Sequence, residues 1–292
     1  MGILEICESM YPEMSKSQKA IADYILASYD KAAYMTASKL ASVTGVSEAT
    51  VVRFTTEIGF TGYPAFQQAL KEELKSKLTS VQRLDYTEKF ENNMAVVQEV
   101  MRTDVGNVKA TLDNISQESF DDAVNMILNA RKIYIMGIRA SAPLSEFMHF
   151  YMTILFDDVV LVRSNSANEL FEQVMTITDK DVLIGITFPR YSARTINSMA
   201  YAHQRGAKII AITDREGTAV TEQADVSLLA TSSMASFVDS MTAPLSLINA
   251  LLVALGMHRK EHIKSSFESL ETLWSQFQVY ETGHDREDKG EL

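Results

Sequence analysis

Two short segments of the sequence combine hydroxyl side chains with arginines, a pairing that proteins use to hold small anions. Residues 137–141 read GIRAS and residues 187–195 read TFPRYSART. A guanidinium can donate two parallel hydrogen bonds to a phosphate or a carboxylate, and hydroxyls at a helix start can donate to the remaining oxygens. We therefore predict an anion site with the ligand-binding residues Arg139, Ser141, Thr187, Arg190 and Ser192.

A simpler role exists for two of these hydroxyls. Serine at a helix start commonly accepts a hydrogen bond from the first amides of that helix, so Ser141 and Ser192 could act only as N-caps. The anion site is favoured because each segment follows an apolar strand and opens a helix. In parallel sheets, ligands bind at the carboxyl ends of the strands.

A second candidate site lies near the N-terminus. Residues 36–59 read TASKLASVTGVSEATVVRFTTEIG, which predicts a helix, a tight turn containing Gly45, and a second helix with Val51, Val52 and Phe54 on its buried side. Such a second helix fits the major groove of DNA, and Arg53 could bond guanine with two donors. The predicted DNA-binding residues are Lys39, Ser47, Glu48, Thr50 and Arg53. The alternative is a small helical interaction domain without a DNA contact.

Short apolar runs predict the strands that position the two anion loops. They occupy residues 132–136, 159–162, 182–187, 208–213 and 226–230, with helical stretches between most of them. This alternation is typical of a parallel sheet with right-handed crossovers. Residues 1–80 show helical periodicity alone, with Leu40, Ala41 and Val43 among the inward positions. The predicted fold is an all-α helix-turn-helix head on an α/β body with a five-stranded parallel sheet flanked by helices.

The same patterns divide the chain into four parts: a head (1–80), a helical connector (81–112), a ligand-sensing domain (113–280) and an acidic tail (281–292). In the connector, apolar residues recur every three or four positions: Phe90, Met94, Val97, Met101, Val105 and Val108. Residues 237–255 are predicted to form a buried helix. Residues 232–240 (SSMASFVDS) could line the mouth of the anion pocket, although packing of Phe237 and Val238 would also explain them. The apolar stretches 144–156 and 243–255 could form a subunit interface, although core packing would also explain them.

The net charge of the whole chain disfavours a nucleic-acid partner, but the charge of the head alone does not. The net charge is −11, and affinity for phosphate comes mainly from lysine and arginine. Residues 1–80, however, hold eight basic and nine acidic side chains, so nearly all the negative charge lies in the rest of the chain. Because a near-neutral head would bind DNA weakly alone, we expect a homodimer, with a tetramer as an open alternative.

Other classes of protein are disfavoured by composition. The one cysteine cannot form an intramolecular disulfide, and no cluster of Cys and His indicates a metal site or a cofactor. The N-terminal residues are acidic where a secretory signal would be basic, and no apolar run reaches the roughly 18 residues of a membrane span. We expect a cytoplasmic protein with no cofactor and no membrane contact.

Three stretches of the head resemble a known family. Residues 17–26 (SQKAIADYIL), 36–54 and 59–70 (GFTGYPAFQQAL) are similar to the head of the RpiR/MurR transcriptional regulators. The α/β part resembles the SIS (sugar isomerase) domain that those regulators carry, and the resemblance covers about residues 15–255. It implies a ligand-responsive regulator of carbohydrate or related metabolism, with operator DNA and a sugar phosphate or sugar acid as partners. It also implies DNA contacts on the second helix of the motif.

The resemblance carries over to the anion loops only in part. SIS domains similar to this one hold a sugar phosphate with a Gly-x-Gly-x-Ser loop and a Ser-x-Ser-Gly-x-Ser/Thr loop. Ser141, Thr187 and Ser192 match hydroxyl positions, whereas Arg139 replaces a glycine and Pro189 with Arg190 replaces the middle Ser-Gly. These replacements fill space and add positive charge. They indicate a different anion, such as a sugar acid, a diacid or a more compact phosphate.

The alternative function is a sugar-phosphate isomerase with an accessory helical domain. Isomerisation needs a general base beside the substrate, and the candidates are His149, His203 and Glu169. A histidine on an apolar helix is more often packed than catalytic, and no acid partner for Glu169 is visible in either loop. The sequence therefore predicts a protein without enzymatic activity.

Overall fold

The computed structural model of the chain describes residues 3–77, 83, 90–163, 167–277 and 279. Its head is helical, and its second and fifth helices begin at a serine whose side chain accepts an amide hydrogen bond, Ser15 and Ser47. Gly45 takes a φ of +69° in the turn between α4 and α5, a conformation that glycine adopts at no steric cost. The head helices are α1 (Ile3–Met10), α2 (Lys16–Ala27), α3 (Tyr29–Ala32), α4 (Ala37–Thr44), α5 (Glu48–Glu57) and α6 (Tyr63–Lys77).

Two apolar residues of the helix-turn-helix lie outside the predicted core. Val43 and Val52 are 40% and 39% exposed, although both were assigned to buried faces. Thr55 takes the inward position on α5: it is fully buried, and its hydroxyl donates to the Val52 carbonyl at 2.8 Å. Because this bond satisfies the hydroxyl, Thr55 can lie on the buried side of α5, and Val52 lies on the exposed side.

The body contains the predicted five-stranded parallel sheet, in the order β2-β1-β3-β4-β5. Each strand falls within one residue of its apolar run, because a strand covered on both faces needs a continuous run of apolar side chains. The strands are β1 (Ile133–Gly137), β2 (Val159–Val162), β3 (Val182–Ile186), β4 (Lys208–Thr213) and β5 (Val226–Leu229). β1 and β3 are neighbours, and Gly137 pairs with Ile186 where both strands end.

Helices cover both faces of the sheet. One face packs against α8 (Gln117–Asn129), α9 (Ala142–Leu155) and α12 (Thr242–His258). The other packs against α10 (Ala167–Val174) and α11 (Ala193–Gln204). α13 (Lys260–Phe277) follows α12. Among the described elements, no helix is both long and apolar enough to span a bilayer.

The last core helix begins later than predicted. Residues 237–241 precede α12 as irregular backbone instead of forming its first turns, and Phe237 and Val238 are exposed. Side-chain hydrogen bonds hold this segment: Ser240 and Thr242 both donate to the Asp104 carboxylate, at 2.6 and 2.9 Å. The two stretches proposed for a subunit interface contain both core and surface positions: Met148 and Leu251 are fully buried, whereas Phe150, Tyr151 and Val253 are exposed, and the interface stays a prediction.

In the described part of the predicted connector, the helix begins only at Asn93: Asn92 caps α7 (Asn93–Asn114), and Phe90 lies before it in irregular backbone. The apolar stripe of α7 points outward. Asn107 bonds Ser233 through both its amide atoms, and Thr111 accepts from the Thr231 amide, so these residues face the body. The stripe lies between 50% and 72% exposed and consists of Met94, Val97, Met101, Val105 and Leu112. The predicted boundary near residue 80 and the tail 281–292 lie outside the described residues, and the four-part division stays a prediction.

A candidate anion pocket and a candidate DNA-binding surface

The loops after β1 and β3 line one cleft of about 920 Å³. Because these strands are adjacent and parallel, their carboxyl ends meet at the same edge of the sheet. All five residues predicted to bind the ligand line this cleft: Arg139, Ser141, Thr187, Arg190 and Ser192. The structure therefore brings the predicted residues together, and their contact with a ligand stays a prediction.

The first loop depends on Gly137, the last residue of β1. The loop turns back as a short 3-10 helix (Arg139–Ser141), in which the Ser141 amide donates to the Ile138 carbonyl at 3.2 Å. A Cβ at position 137 would lie 2.5 Å from the Ser141 carbonyl oxygen. Ser141 is 4% exposed and, as far as the described residues show, its side chain does not cap α9. Capping therefore does not explain this serine.

Internal hydrogen bonds fix the second loop. The Thr187 amide donates to Ile212 of β4 at 3.1 Å, and the Thr187 hydroxyl oxygen accepts from the Ser192 amide at 3.0 Å. Ser192 caps α11, because its hydroxyl oxygen accepts from the Thr195 amide at 3.4 Å. An accepting hydroxyl keeps its proton, so Ser192 can cap the helix and still donate to a bound anion.

Both loop arginines have left-handed backbone. Arg139 has a φ of 58° and Arg190 a φ of 65°, and they are the only described residues other than glycine with positive φ. Such a conformation costs a residue with a Cβ about 1–3 kcal/mol and persists where the surroundings impose it. Each arginine stands where similar SIS loops have glycine. The turn geometry of glycine is thus kept while a guanidinium is added.

Tyr191 ties the second loop to the end of β4. Its hydroxyl donates to the Asp214 carboxylate at 2.8 Å. Burial raises the pKa of the Tyr191 phenol, and the negative charge of Asp214 raises it further. Burial also raises the pKa of Asp214, although the bond from Tyr191 and the charge of Arg215 oppose that rise. The phenol therefore stays protonated at neutral pH and keeps its donor role.

The charges around the cleft are unbalanced. Among the described residues that line it, the charged ones are four arginines and one aspartate: Arg83, Arg139, Arg190, Arg194 and Asp239. This excess of positive charge stands in a chain of net charge −11. Arg194 belongs to the TFPRYSART segment and could have been predicted from it. Asp239 lies in residues 232–240, the segment that could line the mouth of the pocket according to the sequence, whereas Arg83 lies far from both loops in sequence and had no local signal.

The helix-turn-helix presents a mixed exposed face. Arg53, Glu48 and Lys39 are exposed, as predicted for DNA-binding residues. Ser47 and Thr50 are engaged with each other: their hydroxyl oxygens lie 2.8 Å apart, and Ser47 accepts from the Thr50 amide. Val52 was missed as a candidate, and its exposed methyl groups lie one residue from Arg53, where they could contact a thymine methyl group.

Comparison with known proteins identifies both parts of the chain. Residues 1–77 match the model of the helix-turn-helix domain of the rpiR family, and residues 126–254 match the SIS domain model. An uncharacterized HTH-type transcriptional regulator of Haemophilus influenzae is 31% identical over 232 residues, which is 78% of this chain and 79% of the relative.

Solved structures share the fold. The NanR protein of Vibrio vulnificus, in complex with ManNAc-6P, matches with a TM-score of 0.58 and 19% identity over 94% of this chain and 98% of its own. The sugar isomerase domain of an RpiR transcription factor from Sphaerobacter thermophilus matches with a TM-score of 0.57 and 22% identity over 60% of this chain and 97% of its own. With a helix-turn-helix head, a SIS body and a relative matched over most of its length, this chain belongs to the RpiR family of transcriptional regulators.

Proposed function

We propose that the body of this regulator binds a small anionic metabolite, a phosphorylated sugar or a sugar acid, and that binding alters the grip of its heads on operator DNA. The observation that carries the proposal is the cleft itself, where four arginines and one aspartate meet the hydroxyls of Ser141 and Ser192. The related fold of NanR holds ManNAc-6P, which supports a phosphorylated ligand. Because it binds operator DNA, we place the protein in the cytoplasm.

Binding without turnover is favoured over isomerisation. Neither His149 nor His203 is among the described residues that line the cleft, and the side chain of Glu169 lies outside the described residues. The aspartate in the lining, Asp239, is ion-paired with Arg83 at 2.8 Å, which occupies an oxygen that proton abstraction would need. Incubating the protein with ManNAc-6P and following the sugar by NMR tests this: conversion of the sugar would favour the isomerase.

A thermal-shift screen tests the ligand class. We expect at least one of inorganic phosphate, ManNAc-6P, gluconate and citrate to raise the melting temperature, because a ligand that binds only the folded state stabilises it by mass action. A protein whose melting temperature responds to none of them, nor to other sugar phosphates and sugar acids, would have no functional anion pocket.

The left-handed backbone at Arg190 allows a test with two substitutions at one position. Arg190→Gly and Arg190→Ala both remove the guanidinium, so each should weaken anion binding about tenfold or more, the value of a charge-assisted hydrogen bond. Only glycine relieves the backbone at a φ of 65°. We expect the glycine variant to be about 1 kcal/mol more stable to unfolding than the alanine variant. Calorimetry and denaturant unfolding measure the two effects, and equal stabilities would show that the loop imposes no strain.

We assign the contacts to operator DNA to the exposed side of the helix-turn-helix: Arg53 and Glu48 on α5, and Lys39 on α4. One hydroxyl of the Ser47–Thr50 pair bonds the other, and the remaining one donates to phosphate at the N-terminal end of α5. The head is close to neutral in charge, so two heads are needed to hold one duplex. The active form is thus a homodimer, which can pair further into a tetramer.

The outward stripe of α7 supplies a surface for the second copy. A two-fold axis brings the same patch of both copies together, so an apolar stripe can cover itself. Met94 and Leu112 stand at its two ends, about 27 Å apart at 1.5 Å per residue, and Met101 and Val105 stand at its middle. If the α7 helices of two copies pack antiparallel, Met94 of one copy lies near Leu112 of the other. Met101 and Val105 of both copies then lie close to the two-fold axis. Apolar patches of this kind on soluble proteins mark interfaces.

Met101→Glu is expected to convert the dimer to a monomer. It would place two like charges near the axis in an apolar interface, where unpaired charge is strongly unfavourable. Analytical ultracentrifugation measures the change, and we expect the dissociation constant to rise at least about 100-fold, equivalent to about 2.7 kcal/mol. Arg102→Glu, on the solvent side of the same helix, is the control and should leave the assembly unchanged. A Met101→Glu protein that remains dimeric would rule out this stripe as the interface.

A further inference from the structure

Arg83 reaches the anion cleft from outside the body's sheet and its loops. It is the single residue that the structure describes between Lys77, the last described residue of α6, and Phe90, just before α7. Its side chain is only 5% exposed, and its Nη1 donates to the Asp239 Oδ1 at 2.8 Å. The same side chain lines the cleft beside Arg139 and Arg190. The link between head and body therefore contributes a buried positive charge to the pocket.

Asp239 belongs to a segment that is fastened to α7. Ser240, its neighbour, donates to Asp104 at 2.6 Å, and the Ser233 amide donates to Asn107 at 3.2 Å. Asp239 itself lines the cleft. The Arg83–Asp239 ion pair thus joins the link from the head, the pocket, and the segment held on α7.

A bound anion and Asp239 would compete for the same guanidinium. Asp239 is the one negative charge among the described residues of the cleft, and it raises the energy of any anion placed there. A phosphate ester carries up to two negative charges and three acceptor oxygens, so it can accept more from Arg83 than one carboxylate can. In a partly buried site, both the attraction and the repulsion are weakly screened by salt.

We infer that Arg83 is a ligand-binding residue supplied by the link to the head, and that an anion in the cleft draws its guanidinium away from Asp239. This inference rests on the proposed function, since it requires that the cleft bind an anion. Binding would then break one contact that holds the link against the body. The two arrangements of Arg83 differ in ligand affinity, which is the condition for a ligand to shift the position of the heads.

Two substitutions should change affinity in opposite directions. With the full-length protein and inorganic phosphate as the probe, we expect Arg83→Gln to weaken binding about tenfold or more. Asp239→Asn should strengthen it several-fold, because it removes both a repulsive charge and the competitor for Arg83. Arg102→Gln, an exposed arginine on α7, is the control and should bind phosphate as the wild type does. Calorimetry at constant ionic strength gives the affinities.

The response of DNA binding gives a second readout. The probe is the genomic fragment that the wild-type protein selects from a pool, and its affinity is measured with and without saturating phosphate against potassium chloride of equal ionic strength. We expect phosphate to change this affinity for the wild type, and to change it much less for Arg83→Gln.

The outcomes separate the two claims. A purely structural ion pair would make Arg83→Gln and Asp239→Asn shift phosphate affinity in the same direction, or leave it unchanged, and either result would overturn the role of Arg83. If the wild type binds none of phosphate, ManNAc-6P, gluconate and citrate, the proposed function is wrong, and this inference is wrong as well because it depends on that function. Melting temperatures of the ligand-free variants show whether each one folds.

Discussion

Gly137→Ala is expected to abolish saturable anion binding and to lower the free energy of unfolding by about 1–3 kcal/mol, the usual cost of an overpacked site. The added methyl group would lie 2.5 Å from the Ser141 carbonyl oxygen and 3.0 Å from its carbonyl carbon. These are backbone atoms, so the whole 3-10 turn has to move, and Arg139 and Ser141 move with it. A displacement of about 1 Å is enough to lose most of the value of several converging hydrogen bonds.

Gly106→Ala is the matched control for this prediction. Gly106 lies inside α7, it is exposed, and no described atom stands within 4 Å of the position of its added Cβ. Alanine should stabilise the helix by about 0.5–1 kcal/mol and leave anion affinity unchanged. Calorimetry with the strongest ligand of the screen, together with denaturant unfolding, measures both quantities. A Gly137→Ala protein that binds the anion with wild-type affinity would show that the first loop does not form the site.

The sheet and the two loops could be predicted because their signals are local. A strand buried on both faces needs a continuous apolar run, and each run here is bounded by polar or turn residues, which fixed the strand ends to within one residue. The loops follow these strands directly, so the arginines and hydroxyls were placed at one edge by the topology alone. Arg83 could not be predicted as part of the site, because 156 residues separate it from Asp239 and no periodicity links residues at that distance. For Asp239 the sequence indicated only its segment, residues 232–240, and not the side chain itself.

Helical periodicity located the helices without fixing their faces. On α7, the stripe through Met101 and Val105 predicted a helix correctly, but an apolar stripe is normally assumed to face the core. Here the polar residues Asn107 and Thr111 bond the body, and the stripe is left outside. On α5 the error was smaller: Thr55 satisfies its hydroxyl on the helix backbone and is buried in place of Val52.

The left-handed arginines show how the pocket can depart from similar SIS loops while keeping their shape. A loop built for glycine accepts arginine only if other contacts hold its backbone, and the Thr187 and Tyr191 hydrogen bonds do this for the second loop. The strain at Arg139 and Arg190 lowers stability, whereas their charge favours an anion.

Arg53→Ala is expected to weaken operator binding by roughly 30-fold to 20,000-fold. A bidentate contact from arginine to guanine is worth about 1–3 kcal/mol, and a dimer loses two such contacts, or about 2–6 kcal/mol. The pool-selected fragment serves as the probe, and fluorescence anisotropy over a range of salt concentrations gives both affinity and salt slope. Arg102→Ala removes an equal charge from the solvent face of α7 and is the control.

The salt dependence distinguishes a base contact from a phosphate contact at Arg53. If Arg53 reads a base, the variant loses affinity for the selected fragment while binding to unrelated DNA and the salt slope change little. If Arg53 binds phosphate, affinity falls uniformly over all sequences and the slope decreases by about one per head. Unchanged affinity for the selected fragment would exclude Arg53 from the interface. Val52→Ala is then the informative variant, because Val52 is exposed beside Arg53. A loss of affinity confined to DNA sites with thymine would show that this face of α5 lies in the major groove.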